Sequence, residues 1–88
     1  FEIIFSPGHT NCSVCYLLHA KQDVLFSGDT IFCGGIGRTD LPTGNANQLK
    51  NSIKSLLKLK PNTVILPGHG DPTILFEEQQ ELENIIRT

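Results

Sequence analysis

The 88-residue chain contains no tryptophan, no methionine and only one tyrosine. Its seven lysines and arginines are scattered and the formal net charge is −2, so the basic stripe of a nucleic-acid-binding surface is absent. No apolar stretch approaches the roughly 20 residues that span a membrane, and no signal peptide is visible. The 39% of hydrophobic residues suffice for one small core.

Cysteine is also scarce, with only Cys12, Cys15 and Cys33. An odd number argues against a closed set of disulfides and favours a reducing, cytoplasmic compartment. Cys12 and Cys15 form a Cys-x-x-Cys pair, but redox pairs of this kind usually open a helix, whereas residues 13–18 have the pattern of a strand. A structural zinc site would require a second pair. We therefore interpret the cysteines as small buried or half-buried thiols.

The sequence predicts strands followed by a helix, a strand and a helix, which fits a layered α/β arrangement. The predicted strands cover residues 2–5, 13–18, 24–26 and 63–66. The glycine-rich segment 33–44 is predicted to be a loop. Asn45 can cap the first helix, with Gln48 completing a capping box, and the last helix is predicted over about 76–86. The apolar face of the first helix consists of Leu49, Ile53, Leu56 and Leu57.

Three of the predicted strands end in glycine followed by a metal-ligating residue type, namely His9, Asp29 and His69. Binding sites of α/β sheets gather at the carboxyl ends of strands, so these side chains converge if the strands share one sheet and one direction. Two imidazoles and a carboxylate suit zinc or iron, and a carboxylate can bridge two metals about 3.5–4 Å apart. The competing interpretation makes each an ordinary loop or turn residue. The threefold recurrence favours a metal site.

Four motifs of the chain resemble the metallo-β-lactamase superfamily. Pro7-Gly8-His9-Thr10, Ser27-Gly28-Asp29-Thr30 and Pro67-Gly68-His69-Gly70 resemble, in this order, its last three motifs. The segment Gly37-Arg38-Thr39-Asp40-Leu41-Pro42 is similar to a loop of the glyoxalase II-like branch. The resemblance runs from Phe5 to about Glu78. It implies that residues 1–88 form a single C-terminal portion of an αββα sandwich whose N-terminal half is absent.

The resemblance implies a metal-binding role for three residues. His9 would complete a three-histidine first site, Asp29 would bridge both metals, and His69 would ligate the second. The pattern His-x-His-x-Asp-His, which supplies four further ligands in the family, is absent from the chain. His19 precedes Ala20 at a strand end and cannot replace that pattern, so we predict that it is exposed. The chain therefore holds three of about seven ligands.

The resemblance also implies supporting residues around the metal. Thr10 and Thr30 would orient the ligands through hydrogen bonds. Arg38 and Asp40 would shape the rim of the site, and a structural salt bridge between them is an equally favoured alternative.

The resemblance implies a metal-dependent hydrolase of thioesters, typically those of glutathione. A metal-bound hydroxide, with two zinc ions per site and no side-chain nucleophile, would attack the carbonyl. Residues 67–72 are more similar to this branch than to its rival, the persulfide dioxygenase, which uses a single iron. A third hypothesis is an inactive fragment or half-domain. Such a half would expose an apolar sheet face, and patches of this kind promote self-association.

Overall fold

The computed structural model describes residues 1–10, 13–32, 35–37, 39 and 44–87. The main sheet is built from β1 (Glu2–Phe5), β2 (Val14–Leu18), β3 (Val24–Gly28), β6 (Val64–Pro67) and β7 (Thr73–Ile74). A separate small hairpin is formed by β4 (Ile31–Phe32) and β5 (Gly35–Ile36). The helices are α1 (Ala46–Leu56) and α2 (Leu75–Arg87). Within the described residues, neither helix is long and apolar enough to cross a membrane.

The strand order of the sheet is β1-β2-β3-β6-β7. The pairs β1–β2, β2–β3 and β6–β7 are antiparallel, whereas β3 and β6 are parallel and are connected through α1. It follows that β1, β3 and β6 all run in the same direction. Their carboxyl ends therefore lie along one edge of the sheet, as the convergence of the three motifs requires.

The core lies on one face of the sheet. Because successive side chains of a strand point to opposite faces, the buried residues alternate along β2 and β3, as Cys15, Leu17 and Leu25 show. The helices close this face with Leu49, Ile53, Leu56, Leu75 and Leu82, which belong to the same buried cluster. The 3.6-residue periodicity of the sequence thus identified the buried face of α1, although Leu57 is only half-buried.

The opposite face of the sheet is apolar and open. Ile3 pairs with Tyr16, and Tyr16 pairs with Phe26, so these side chains form one row across three strands. Together with Phe5 they are 37–78% exposed. We call these four residues the open sheet face. Neither helix covers it, since both contribute their buried residues to the other side.

The predicted elements match the described ones to within about two residues, but the three two-residue strands β4, β5 and β7 were not predicted. The prediction of a continuous loop from residue 33 to residue 44 is wrong at Gly35–Ile36, which pairs with Ile31–Phe32. The short strand β7 was also missed. Strands of two residues contain too little alternation to be recognised from sequence.

The start of α1 combines a helix cap with a tertiary contact. The backbone N–H of Gln48 donates to Asn45 Oδ1 at 2.9 Å, which confirms Asn45 as the N-cap. In a capping box the N–H of the cap residue would bond to the Gln48 side chain. Here the Asn45 N–H donates instead to the Gly8 carbonyl oxygen at 2.7 Å. The N-terminus of α1 is thereby fastened to the loop that follows β1.

Candidate metal centre

The loops that follow β1, β3 and β6 bring His9, Asp29 and His69 together. His9 Nε2 lies 3.6 Å from Asp29 Oδ2. His69 Nδ1 lies 2.8 Å from Asp29 Oδ1. The three residues selected from the sequence thus lie together, with each of the two imidazoles facing a different oxygen of the Asp29 carboxylate.

The loop that carries His9 is held by α1. Ser52 Oγ donates to the Pro7 carbonyl oxygen at 2.8 Å, next to the bond from Asn45 to Gly8. Gly8 has a φ of 142°, and a Cβ at this position would clash with the backbone and Cβ of Leu49. Glycine is required here because the loop packs directly on the helix. This contact fixes the backbone one residue before His9.

The turn that carries Asp29 is closed by backbone hydrogen bonds. The Thr30 N–H donates to the Ser27 carbonyl oxygen at 2.9 Å, across Gly28 with its φ of 54°. The Gly68 N–H donates to the Gly28 carbonyl oxygen at 2.8 Å. The loop before His69 is therefore bonded directly to the turn before Asp29, which explains why these two side chains are in contact.

Gly37 completes the packing around the carboxylate. Its N–H donates to the Thr30 carbonyl oxygen at 3.1 Å. A Cβ on Gly37 would overlap the Asp29 carbonyl oxygen and would lie 3.2 Å from His9 Cβ. In the sequence, this glycine stands at the start of the motif that resembles the rim loop. Its close contact with two predicted ligands was missed, because nothing in the local pattern indicates which residues pack against it.

The two threonines expected to orient the ligands have described contacts elsewhere. The backbone N–H and the hydroxyl of Thr10 lie 3.1 and 2.9 Å from Ser13 Oγ. Thr30 is buried, and its side chain forms a hydrogen bond with the thiol of Cys15. These contacts hold the loops on either side of the candidate metal centre. The orientation of a ligand by either threonine stays a prediction.

Other residues named from the sequence have different outcomes. His19 is exposed, as predicted, and lies at the other end of the sheet. Cys15 is a free thiol buried in β2, and burial raises its pKa, so the prediction of a buried thiol is confirmed. The rest lie outside the described residues: Arg38, Asp40, Cys12 and Cys33.

The donor set around Asp29 fits a metal ion. Asp29 Oδ1 is buried and accepts no hydrogen bond of suitable geometry from the described residues, although His69 Nδ1 is 2.8 Å away. Buried carboxylate oxygens are normally hydrogen-bonded, so a cation is a suitable partner for this Asp29 oxygen. The observed 2.8 and 3.6 Å bracket the roughly 3.4 Å expected between ligand atoms of a tetrahedral zinc with bonds of about 2.1 Å.

The described residues do not form a complete metal cage. In that part of the chain, no group of three His, Cys, Asp or Glu side chains is arranged to hold an ion alone. The reason is geometric, since the two imidazoles face opposite oxygens of Asp29. The centre is also open, with the His69 side chain 77% exposed and that of His9 17% exposed. A cleft of about 260 Å³ beside Pro7 and Ser52 does not include these residues.

Comparison with known proteins identifies the family. The sequence model of the metallo-beta-lactamase superfamily matches residues 1–69. The chain belongs to the metallo-beta-lactamase superfamily. Among characterised superfamily members, hydroxyacylglutathione hydrolase GloC of Haemophilus influenzae is 43% identical over 81 residues, which cover 91% of this chain and 38% of GloC.

Solved structures of the superfamily share the fold. ETHE1 from Myxococcus xanthus superposes with a TM-score of 0.88 and 35% identity, over 100% of this chain and 40% of that one. TTHA1623, crystallised in a di-iron-bound form, superposes with a TM-score of 0.81 and 38% identity, over 91% of this chain and 40% of that one. The chain therefore spans about two-fifths of the length of these relatives. The α/β architecture with a five-stranded sheet and two helices agrees with these neighbours.

Proposed function

We propose that His9, Asp29 and His69 are metal ligands of a metal-dependent hydrolase, and that the remaining ligands come from outside these 88 residues. The observation that carries the proposal is the meeting of both histidines at one carboxylate, one buried oxygen of which accepts no hydrogen bond in the part of the chain that the structure describes. Asp29 presents one oxygen to each imidazole. This arrangement suits a carboxylate that bridges two metals, with His9 on the first and His69 on the second.

The residues of this chain hold and separate the ligands. Bound divalent metal ions lower the pKa of a water molecule toward 7 and stabilise negative charge on a substrate carbonyl. The chain contributes a rigid frame for that chemistry, because Gly8 and Gly37 fix the backbone beside His9 and Asp29. The open side of His69 leaves access for a substrate. Arg38 and Asp40 are proposed to shape the rim.

We propose a thioester such as hydroxyacylglutathione as the substrate, and two zinc ions as the metals. The 43% identity to GloC over 91% of the chain supports this substrate class. The count of three cysteines favours a cytoplasmic location, because an odd number does not form a closed set of disulfides. Neither nucleic acid nor a membrane is proposed as a partner, since no basic stripe accompanies the net charge of −2.

The alternative function is that of a mononuclear iron enzyme similar to persulfide dioxygenases. The match to ETHE1 from Myxococcus xanthus over the whole chain is compatible with it. The identity of the metal distinguishes the alternatives, because the hydrolase requires two metal ions and no oxidant, whereas the dioxygenase consumes O₂ at one iron.

The deciding experiment is the metal-to-protein ratio by elemental mass spectrometry. It should be measured on the full-length protein as encoded and on the 88-residue chain alone. We expect about two zinc ions per full-length chain, together with hydrolysis of hydroxyacylglutathione, and no retained metal in the short chain. One iron per chain and oxygen-dependent turnover of a persulfide would establish the alternative. A full-length protein without bound metal would overturn both functions.

The open sheet face supports a further proposal for the chain when it is produced alone. Its exposed apolar side chains, among them Ile3 and Phe5, favour association with a second copy. We expect size-exclusion chromatography to show dimers or larger species. Replacing Tyr16 and Phe26 by serine should shift the elution toward the monomer, whereas replacing the exposed Phe76 of α2 should not. If the 88-residue chain without substitutions is a stable monomer, both this proposal and the hypothesis of an inactive half-domain are contradicted.

A further inference from the structure

A cluster of buried polar side chains lies in the core next to the candidate metal centre. It consists of Ser6, Cys15, Ser27 and Thr30, all of which are fully buried. We call these four residues the thiol cluster. The function proposed above gives the thiol cluster no role. A single buried cysteine would be interpreted only as a small side chain that fills the core.

The Cys15 sulfur is the centre of this cluster. Ser6 Oγ lies 3.2 Å from Cys15 Sγ, and the Thr30 side chain forms a further hydrogen bond with the thiol. The thiol itself donates to the Ser27 carbonyl oxygen at 3.8 Å. Burial raises the pKa of Cys15, so the sulfur keeps the proton that this bond requires.

The partners of Cys15 lie next to the proposed ligands in the chain. Ser6 precedes the Pro7-Gly8-His9 loop, and Ser27 and Thr30 flank the Gly28-Asp29 turn. The Thr30 N–H also closes that turn on the Ser27 carbonyl oxygen. Strand β2 lies between β1 and β3 in the sheet. One atom on the middle strand therefore links the strand end before His9 to the turn that carries Asp29.

We propose that Cys15 is a positioning residue that sets the separation of His9 and Asp29 in the metal centre. The inference rests on the proposed metal-binding function. Without the sulfur, the Ser6 and Thr30 hydroxyls lose a partner inside the core, and such groups move to recover one. Movement of either strand end would shift a ligand, and changes in groups that support ligands typically weaken metal binding 10- to 100-fold.

The test measures zinc affinity of the full-length protein by competition with a chelator. Alanine is smaller than cysteine and valine is larger. An effect common to Cys15→Ala and Cys15→Val therefore reports the lost hydrogen bonds rather than a change in side-chain volume. We expect both to bind zinc roughly tenfold more weakly, with Cys15→Ser restoring most of the affinity. Leu17→Val is the matched control, because Leu17 is buried on the same face of the same strand. It should lower stability without changing the affinity.

A second measurement does not depend on metal. Hydrogen exchange of the Thr30 amide in the metal-stripped protein reports the closure of the Asp29 turn. We expect faster exchange in Cys15→Ala and Cys15→Val, and native rates in Cys15→Ser and Leu17→Val. Native zinc affinity in both apolar variants would overturn the proposal. If the native protein binds no metal, the proposed function is overturned whatever the Cys15 variants show. If the Thr30 amide then exchanges equally slowly in the native protein, Cys15→Ala and Cys15→Val, the positioning role is overturned as well.

Discussion

The two ends of the five-stranded sheet both carry histidine and carboxylate side chains, but in different states. At the carboxyl ends of β1, β3 and β6, Asp29 lies between two imidazoles, and one of its oxygens is buried without a hydrogen bond from any described residue. At the opposite end, His19 Nε2 lies 3.1 Å from Glu2 Oε1, and its Nδ1 lies 3.5 Å from Asp23 Oδ2.

The Asp23 carboxylate at the opposite end has a hydrogen-bond donor and a lysine beside it. Asp23 accepts a hydrogen bond from the Ala20 N–H at 3.3 Å, and Lys60 Nζ lies 3.9 Å from its Oδ2. His19 and Lys60 themselves are largely exposed. Residue composition alone therefore does not separate the two ends, since both combine histidine with carboxylates. The unsatisfied buried oxygen and the glycines packed around Asp29 distinguish the two ends.

The largest expected effect is that of Asp29→Ala in the full-length protein. Removing the carboxylate that faces both imidazoles should weaken metal binding by more than the roughly 100-fold seen for supporting residues, and hydrolysis should be lost with it. Metal content and thioester hydrolysis measure the result. Asp23→Ala is the matched control at the other end and should retain metal and activity. If both substitutions had the same effect, the distinction between the ends would be wrong.

The next effect is expected for Gly37→Ala. The added methyl would overlap the Asp29 carbonyl oxygen, and overpacking of this kind typically costs about 1–3 kcal/mol of unfolding free energy. Metal affinity should fall together with stability, because the displaced atoms belong to the ligand turn. Gly35→Ala is the control, since a Cβ there meets no atom within 4 Å. Denaturant unfolding measures the stability of each variant, and chelator competition measures its metal affinity. Equal values for Gly37→Ala and Gly35→Ala would contradict the prediction.

A smaller effect concerns alkaline pH and Cys15. Burial raises the pKa of this thiol above its ordinary value of 9.0, so above that pH the unfolded chain loses a proton that the folded chain retains. Stability is therefore fully present below pH 9.0 and falls as pH rises, by up to about 1.4 kcal/mol per pH unit for this group. Unfolding of the native protein and of Cys15→Ala between pH 8 and 10 should differ in slope. Parallel slopes would refute the prediction.

The smallest effect is expected for His19→Ala. Exposed ion pairs contribute about 0–1 kcal/mol, so the variant should lose at most that much stability and keep its metal and activity. Loss of metal on this substitution would show that the opposite end supports the site after all.

The sequence alone predicted the main strands, both helices and the meeting of His9, Asp29 and His69, because each depends on short local signals. The short strands β4, β5 and β7 were missed, since two residues are too few to show the alternation of apolar and polar side chains that identifies a strand. Contacts that depend on distant residues could not be predicted, such as those of Gly37 with Asp29 or of Cys15 with Thr30. The open sheet face followed from the family resemblance rather than from any pattern within the chain.

The hydrogen bond between Asn45 and Gly8 determines which substitutions the neighbouring segment tolerates. The segment between Gly37 and Asn45 is anchored at both ends through backbone groups, to the Thr30 carbonyl oxygen at its start and to the Gly8 carbonyl oxygen at its end. Backbone anchors tolerate changes of side chain. Side-chain substitutions between these two anchors therefore remove neither backbone hydrogen bond, and the attachment of Gly8 beside His9 is kept.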